Sequence, residues 1–502
     1  MRSILDLDAK DAKKFFLKNE SYCNIDLPSY FDFGKLLNSI SNKLGDKSLE
    51  SYYANKNKRP AYFDDVNHII VGNKDGKYTW RSFSLINPIL YVTLVQLIAR
   101  NKNWEIIKEH LSSLKNSKIV CLSIPVVTQN WKKKDRAEQI LKWWLEGEQK
   151  SLELALEYEH IIKADIANCY DSIYTHSIAW ALHGKEKSKK AVREKKEKSL
   201  LGGEIDILIR QMQYGQTNGI PTGSVLMDLL AEIVLVAIDK MLSERLHEKD
   251  IKDYMILRYR DDYRIFVNDS LVGNRILKVL SEELYKFNFR LNTMKTKGSA
   301  NVILSSIKED KIAFMETQTK YKNALEELLM IYKFSRSFPN SGALIKWLNL
   351  LYDKIQGSQE DIKKENVLIL ISISVQIMFE NPRVIPQCVG LISLFFRNVR
   401  KSKIKKIIEK ITRKFNKIPN TGLLDIWLQR LIYNIFPDYQ HNEPLCKIVQ
   451  RQGSEKIWNF EWLNRRSTLS RIVDETDIIN RDILNKITNV VPKREFDLFA
   501  YY

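Results

Sequence analysis

Along residues 1–120, apolar and polar positions follow no clean period: aromatics, prolines and short apolar runs surround a basic segment, Lys56-Asn57-Lys58-Arg59-Pro60. From about 155 to 315 the pattern changes. Short β-branched runs, HIIKADI (160–166) and DYMILRYRDDYRIFVN (253–268), alternate with helical ones, SVLMDLLAEIVLVAIDKML (224–242) and LVGNRILKVLSEELYKF (271–287). This alternation predicts an α/β or α+β sheet with helices packed on it. In 253–268, apolar and aromatic residues flank Asp261-Asp262 on both sides, the pattern of a β-hairpin with two carboxylates at or beside its turn. Strand, helix, hairpin, helix and strand in that order predict a split βαβ arrangement.

Beyond about 320 the strand signals stop and amphipathic helical runs follow. Pro339-Asn340-Ser341-Gly342 opens a run with Leu344, Trp347, Leu348 and Leu351; Pro419-Asn420-Thr421-Gly422 opens one with Leu424, Trp427, Leu428 and Leu431. With Asn381-Pro382 near the midpoint, the spacing predicts helix pairs of about 40 residues, of the HEAT kind. The apolar stretch 367–379 is broken by Ser372, Ser374 and Gln376 and is too short to span a bilayer, so it predicts a buried helix and no membrane association.

The 502 residues are 44% apolar and 10% aromatic, a folded composition, and 80 Lys and Arg against 61 Asp and Glu give a net charge of +19, which favours a polyanionic partner. The five cysteines form no C-x-x-C pair, so a reducing, cytoplasmic setting is expected. Ten Lys or Arg fall in 397–417 with Glu409 as the one acid, on a helical pattern suited to a nucleic-acid backbone, whereas the acid-interrupted run 185–198 predicts a solvated loop.

The chemistry concentrates in Asp165, Asp261 and Asp262. Carboxylates at a strand end and a neighbouring hairpin tip suit divalent ions such as Mg²⁺, which prefer oxygen ligands and can clamp attacking and leaving oxygens in pairs.

Four segments in order resemble the motifs of reverse transcriptases: Lys163-Ala164-Asp165-Ile166 through Tyr170-Asp171-Ser172-Ile173, then Gly219-Ile220-Pro221-Thr222-Gly223-Ser224, then Tyr259-Arg260-Asp261-Asp262, then Leu291-Asn292-Thr293-Met294-Lys295-Thr296. The resemblance implies an α+β fold: reverse-transcriptase-like fingers (1–120) and palm (121–318), followed by an all-α helical-repeat domain (319–502) in place of a thumb. It implies Asp165, Asp261 and Asp262 as catalytic residues holding two Mg²⁺, or Mn²⁺, with Ile166 beside them in the metal and nucleotide site. Lys295 would stand near the departing pyrophosphate. Tyr170 would abut the sugar and favour dNTPs, Arg81 would bind the triphosphate, and Gly219, Pro221, Thr222 and Gly223 would line the nucleotide. Thr222 and Arg260 depart from the common pattern, which has Gln and a small or apolar residue there, near the expected nascent base pair and primer end.

The runs Tyr174-Thr175-His176-Ser177-Ile178-Ala179-Trp180 and Gln213-Tyr214 before Asn218-Gly219-Ile220-Pro221-Thr222-Gly223 resemble the abortive-infection (Abi) polymerases, a phage-defence branch of bacterial reverse transcriptases. That branch implies untemplated, protein-primed synthesis of DNA that stays attached to the protein, and a homo-oligomer. Tyr22, Tyr30, Tyr501 and Tyr502 are candidate priming hydroxyls, with a packing role as the competing reading of each. The rivals are an RNA-templated reverse transcriptase of retron or intron type, with RNA as a partner, and a non-catalytic nucleic-acid-binding scaffold.

Overall fold

The computed structural model describes residues 2–500 except 46, 56, 74–78, 116, 129–132, 318–320, 358–365 and 452–455. Lys56 of the basic segment, Tyr501 and Tyr502 lie outside the described residues.

Two strands, β1 (His68–Asn73) and β2 (Trp80–Leu85), form a separate antiparallel hairpin. The central sheet comprises β3 (Ile119–Cys121), β4 (His160–Asp165), β5 (Met255–Tyr259), β6 (Asp262–Val267) and β7 (Lys297–Ser299), in the order β3-β5-β6-β4-β7. Only the β3–β5 pairing is parallel. The β5–β6 hairpin is the one that the flanking apolar runs predict.

Strand alternation gives the sheet two apolar faces. Ile162, Ala164, Ile256, Tyr263, Ile265 and Val267 join the main core, while Ile161, Leu257 and Phe266 join a smaller cluster with Leu122, Leu154 and Val302. On the main-core side lie α2 (Val225–Glu248) and α3 (Ser270–Lys286), with α1 (Pro88–Ile98) buried in the same core. Gly273 of α3 allows close approach to the sheet, since a Cβ there would fall 2.6 Å from Ile162 Cδ1. Ser224 caps α2, its hydroxyl accepting the Met227 amide proton at 3.3 Å.

The second core is helical: α4 (Ala324–Ser337), α5 (Gly342–Gly357), α6 (Val367–Glu380), α7 (Ile385–Phe395), α8 (Lys401–Phe415) and α9 (Gly422–Ile432). Helix α6 packs on α4 and α7 on α5, so successive pairs stack. The two Pro-Asn turns share a conformation, with Asn340 at φ 54° and Asn420 at φ 64°, and Trp347 and Trp427 are both buried.

Three expectations need correction. Residues 319–502 do not pack as one unit: Leu445, Trp458, Trp462, Leu469 and Ile479 belong to the main core with the N-terminal segment. Backbone bonds from Asp32 to Ile478, Asn480 to Tyr30 and Ala54 to Trp462 join the chain ends. The run 185–198 is no loop but the helix Lys185–Arg193 and a short turn Glu197–Ser199, with the buried Ser188 hydroxyl tethered to the Gly184 and Ala179 carbonyls at 2.8 and 2.9 Å. Helix α6 is not fully buried, since Leu368 and Ile369 face outward. Among the described residues, no helix is long and apolar enough to cross a membrane.

Candidate active site

Strand β4 ends at Asp165, which pairs across the ladder with Asp262, the first residue of β6. Tyr259 and Asp262 pair across the hairpin, leaving Arg260-Asp261 as a two-residue turn. Such turns call for a left-handed residue, usually Asn or Gly; Arg260 takes that place at φ 55°. Its amide donates to Ser123 Oγ at 2.9 Å and its carbonyl accepts from Arg258 Nη1 at 3.1 Å, which fixes the turn. The Ile166 amide donates to the Asp261 carbonyl at 3.0 Å, tying the turn to the end of β4.

Asp165, Asp261 and Asp262 therefore converge. Directly opposed like charges oppose folding. Burial pushes Asp261 above the usual carboxylate range and the Asp165 charge adds to it, while burial and the charges of Asp261 and Asp165 push Asp262 up to about 6. Lys295 supplies a cation: its Nζ donates to both Asp165 oxygens at 2.9 and 3.1 Å. Asn292 adds its amide N–H to the Asp165 carbonyl at 2.7 Å and its Nδ2 to Oδ1 at 3.3 Å. Crowded carboxylates with raised proton affinity form a hard-oxygen donor set that fits a divalent ion. Ile166, its side chain buried, can contribute only its backbone carbonyl.

The loop 219–223 is held between this centre and the β1–β2 hairpin. The Ile220 amide donates to the Tyr170 carbonyl at 3.1 Å and the Gly219 amide to Ile173 at 2.8 Å. Gly219 and Gly223 sit at φ 78° and 114°, backbone that side chains rarely adopt. Thr222 is engaged by the neighbouring hairpin. Its hydroxyl donates to the Ser82 carbonyl, and Ser84 N–H donates to the Thr222 carbonyl at 2.7 Å, so the residue that replaces Gln fastens the loop to β2.

Tyr170 follows β4 on a single helical turn, Cys169–Ser172, and its hydroxyl donates to Asp228 Oδ1 at 2.7 Å. Arg81 lies on β2, exposed and outside the carboxylate cluster. It has basic company: partial desolvation, then the like charges of Arg136 and Arg81, hold Arg383 of the helical region below its usual value.

Tyr22 and Tyr30 are fully buried, with the Tyr22 hydroxyl spent on the Ile86 carbonyl. Both are core residues, the packing role that competes with priming at each, and neither presents its hydroxyl outward.

Sequence reasoning missed the acids of α2. Asp228, Glu232 and Asp239 recur at i, i+4 and i+11 on one face of α2, which is otherwise apolar from Val225 to Asp239, and meet two arginines two residues apart. Arg260 pairs with Asp228 at 2.7 Å, and the wholly buried Arg258 with Glu232 at 2.8 Å and Asp239 at 2.6 Å. That helical spacing opposite Arg-x-Arg was a legible signal. Elsewhere, Asp425, His441 and Cys446 bring donor atoms within 4.8 Å of one another. Asp425 is already engaged by His441 Nδ1 at 2.6 Å and the Asn442 and Glu443 amides at 2.7 and 2.9 Å, so it serves as a loop brace.

Solved structures similar to this chain include telomerase from Candida albicans in complex with a TWJ fragment of telomeric RNA, at 14% identity over 70% of this chain and 65% of that one, with a TM-score of 0.30. Apo telomerase from Candida tropicalis shares 12% identity over 78% of this chain and 68% of that one, with a TM-score of 0.32. The chain thus spans less than two thirds of the first structure's length. No curated protein matches the chain. Residues 74–322 match the sequence model described as reverse transcriptase (RNA-dependent DNA polymerase), and within that span lie the three carboxylates, Lys295, Tyr170 and the 219–223 loop. The chain carries, over residues 74–322, a domain of the reverse transcriptase family.

Proposed function

We propose that this chain is a bacterial, cytoplasmic anti-phage DNA polymerase of the Abi kind, extending DNA from dNTPs without a template and from a tyrosyl hydroxyl of the protein. The observation that carries the polymerase reading is the meeting of Asp165, Asp261 and Asp262 beside Lys295. Two Mg²⁺ ions, or Mn²⁺, bound there would lower the charge on the transferring phosphate and activate the attacking hydroxyl. Asp165, Asp261 and Asp262 would hold them, together with the Ile166 carbonyl. Lys295 is suited to donate a proton to the departing pyrophosphate: burial would lower its pKa, but the Asp165 carboxylate prevails and holds it above its usual value, so it stays protonated.

Tyr170 forms the sugar side of the site, the 219–223 loop its floor, and Arg81 the triphosphate side. The Abi branch is favoured by the runs around 174–180 and 213–223 and by stacked helix pairs after the palm, which we read as HEAT-like repeats replacing a thumb. The exposed basic face of α8, with Lys403, Lys406, Lys410 and Arg413, is suited to the DNA product or an RNA. A homo-oligomer belongs to the same reading.

The test incubates full-length protein with labelled dNTPs and Mg²⁺, without template or primer, and compares denaturing gels before and after proteinase, with Asp261→Ala as control. Protein-linked label that proteinase releases as DNA, absent from the variant, is expected. Label appearing only with added RNA and primer would establish the templated rival, and no label in either case the scaffold.

A further inference from the structure

The arginine of the Tyr-Arg-Asp-Asp turn and the tyrosine five residues after Asp165 share one partner. Asp228, one turn into α2, accepts the Tyr170 hydroxyl proton on Oδ1 and an Arg260 Nη2 proton on Oδ2, each at 2.7 Å. Its side chain is only 11% exposed, so both oxygens are turned inward. One carboxylate therefore links three separate pieces: the turn after β4, the start of α2 and the β5–β6 hairpin tip.

We propose that Asp228 is a positioning residue for sugar selection: by bridging Tyr170 and Arg260 it fixes the Tyr170 ring as a wall against the 2′-hydroxyl of an incoming nucleotide. The inference rests on the reading of Tyr170 as the sugar-facing residue.

A ring excludes one hydroxyl only if it cannot swing aside. Tyr170 is half-buried, and its backbone is tied to the 219–223 loop through Ile220. That leaves the far end of the ring to be held. A carboxylate acceptor gives a charge-assisted bond, about twice as strong as a neutral one. Burial, then the Asp228 charge, push the Tyr170 phenol well above its usual pKa, so it remains a donor at any working pH. Asp228 is in turn oriented by Arg260, whose left-handed backbone is held by Ser123 and Arg258. Arginine in the box thus gains a role that a small or apolar residue could not fill.

The test measures kcat and KM for a dNTP and the matching rNTP with full-length protein and the variants Asp228→Asn, Tyr170→Phe and Tyr170→Ala. Tyr170→Phe removes the same hydrogen bond from the other end while keeping the ring, so it decides the matter even if Asp228→Asn folds poorly. The ratio of kcat/KM for dNTP over rNTP should fall about fivefold or more in both, chiefly through a lower KM for rNTP, and the double variant should fall no further than either single one. An unchanged ratio in Tyr170→Phe, with both rates reduced alike, would mean that Asp228 is merely structural. If Tyr170→Ala also leaves the ratio unchanged, the sugar-facing reading itself fails. If Tyr170→Ala abolishes discrimination while Tyr170→Phe and Asp228→Asn keep it, only the role of Asp228 fails.

Discussion

Lys295 Nζ lies within hydrogen-bond distance of both carboxylate oxygens of Asp165, so the lysine occupies the place where a divalent ion would draw its ligands. Lysine and metal compete for one carboxylate. On the proposed reading, Lys295→Met should therefore tighten Mn²⁺ binding, read by electron paramagnetic resonance, while lowering the incorporation rate about 100-fold through loss of the proposed proton donor. A variant with weaker Mn²⁺ binding would show that Lys295 supports the site and does not contest it.

The raised proton affinities of Asp261 and Asp262 make stability depend on pH in a definite direction. Asp262 titrates near 6 in the fold against an ordinary 3.8, so the folded state binds more protons between those values. Its contribution is present below about 4 and lost as pH rises through 6. Metal-free protein should melt at a lower temperature at pH 8 than at pH 5.5, Mg²⁺ should restore the difference, and Asp262→Asn in EDTA at pH 8 should melt above wild type. Equal melting of the variant and wild type there would disprove the repulsion.

Arg258, wholly buried, neutralises Glu232 and Asp239, and Asp239 also accepts the Tyr263 hydroxyl at 2.8 Å. Removing the shared cation leaves two buried carboxylates facing each other. Arg258→Ala should cost about 3–5 kcal/mol in denaturant unfolding, whereas Asp239→Asn, which keeps one full pair, should cost less.

Gly223 stands at φ 114°, its carbonyl accepting Asn24 N–H at 2.9 Å and its neighbour Thr222 bonded to β2. A Cβ there would meet only ordinary contacts, the nearest at 3.5 Å, so the penalty lies in the backbone. Gly223→Ala should destabilise by about 1–2 kcal/mol. It should also raise the KM for dNTP, since the loop loses its set position between palm and hairpin.

Arg383 reaches the same side of the molecule as Arg81 and Arg136, where Asp26, bonded to Arg136 at 2.7 Å, is a nearby acid. Like charges gathered from three parts of the chain suit a phosphate chain. Arg383→Glu should weaken single-stranded DNA binding about tenfold and flatten its salt dependence, measured by fluorescence anisotropy.

The strand order around the β5–β6 hairpin, the convergence of Asp165 with Asp261-Asp262, and the helical half after 320 were legible in the sequence because each is written locally. Alternation sets a strand's two faces, apolar flanks mark a hairpin, and a strand end places its last side chain. The chain alone could not show which residues 228, 232 and 239 face, although their spacing declares a common side. Nor could it show which groups bury Tyr22 and Tyr30, or that residues 445–484 leave the helical half to complete the N-terminal core. Each of these depends on groups tens to hundreds of residues apart, and burial or pairing at that range is decided by tertiary packing. The sequence determined the elements and the carboxylates; the tertiary structure decided that Asp228 joins Tyr170 to Arg260, because only folding lays the start of α2 against both the turn after β4 and the hairpin tip.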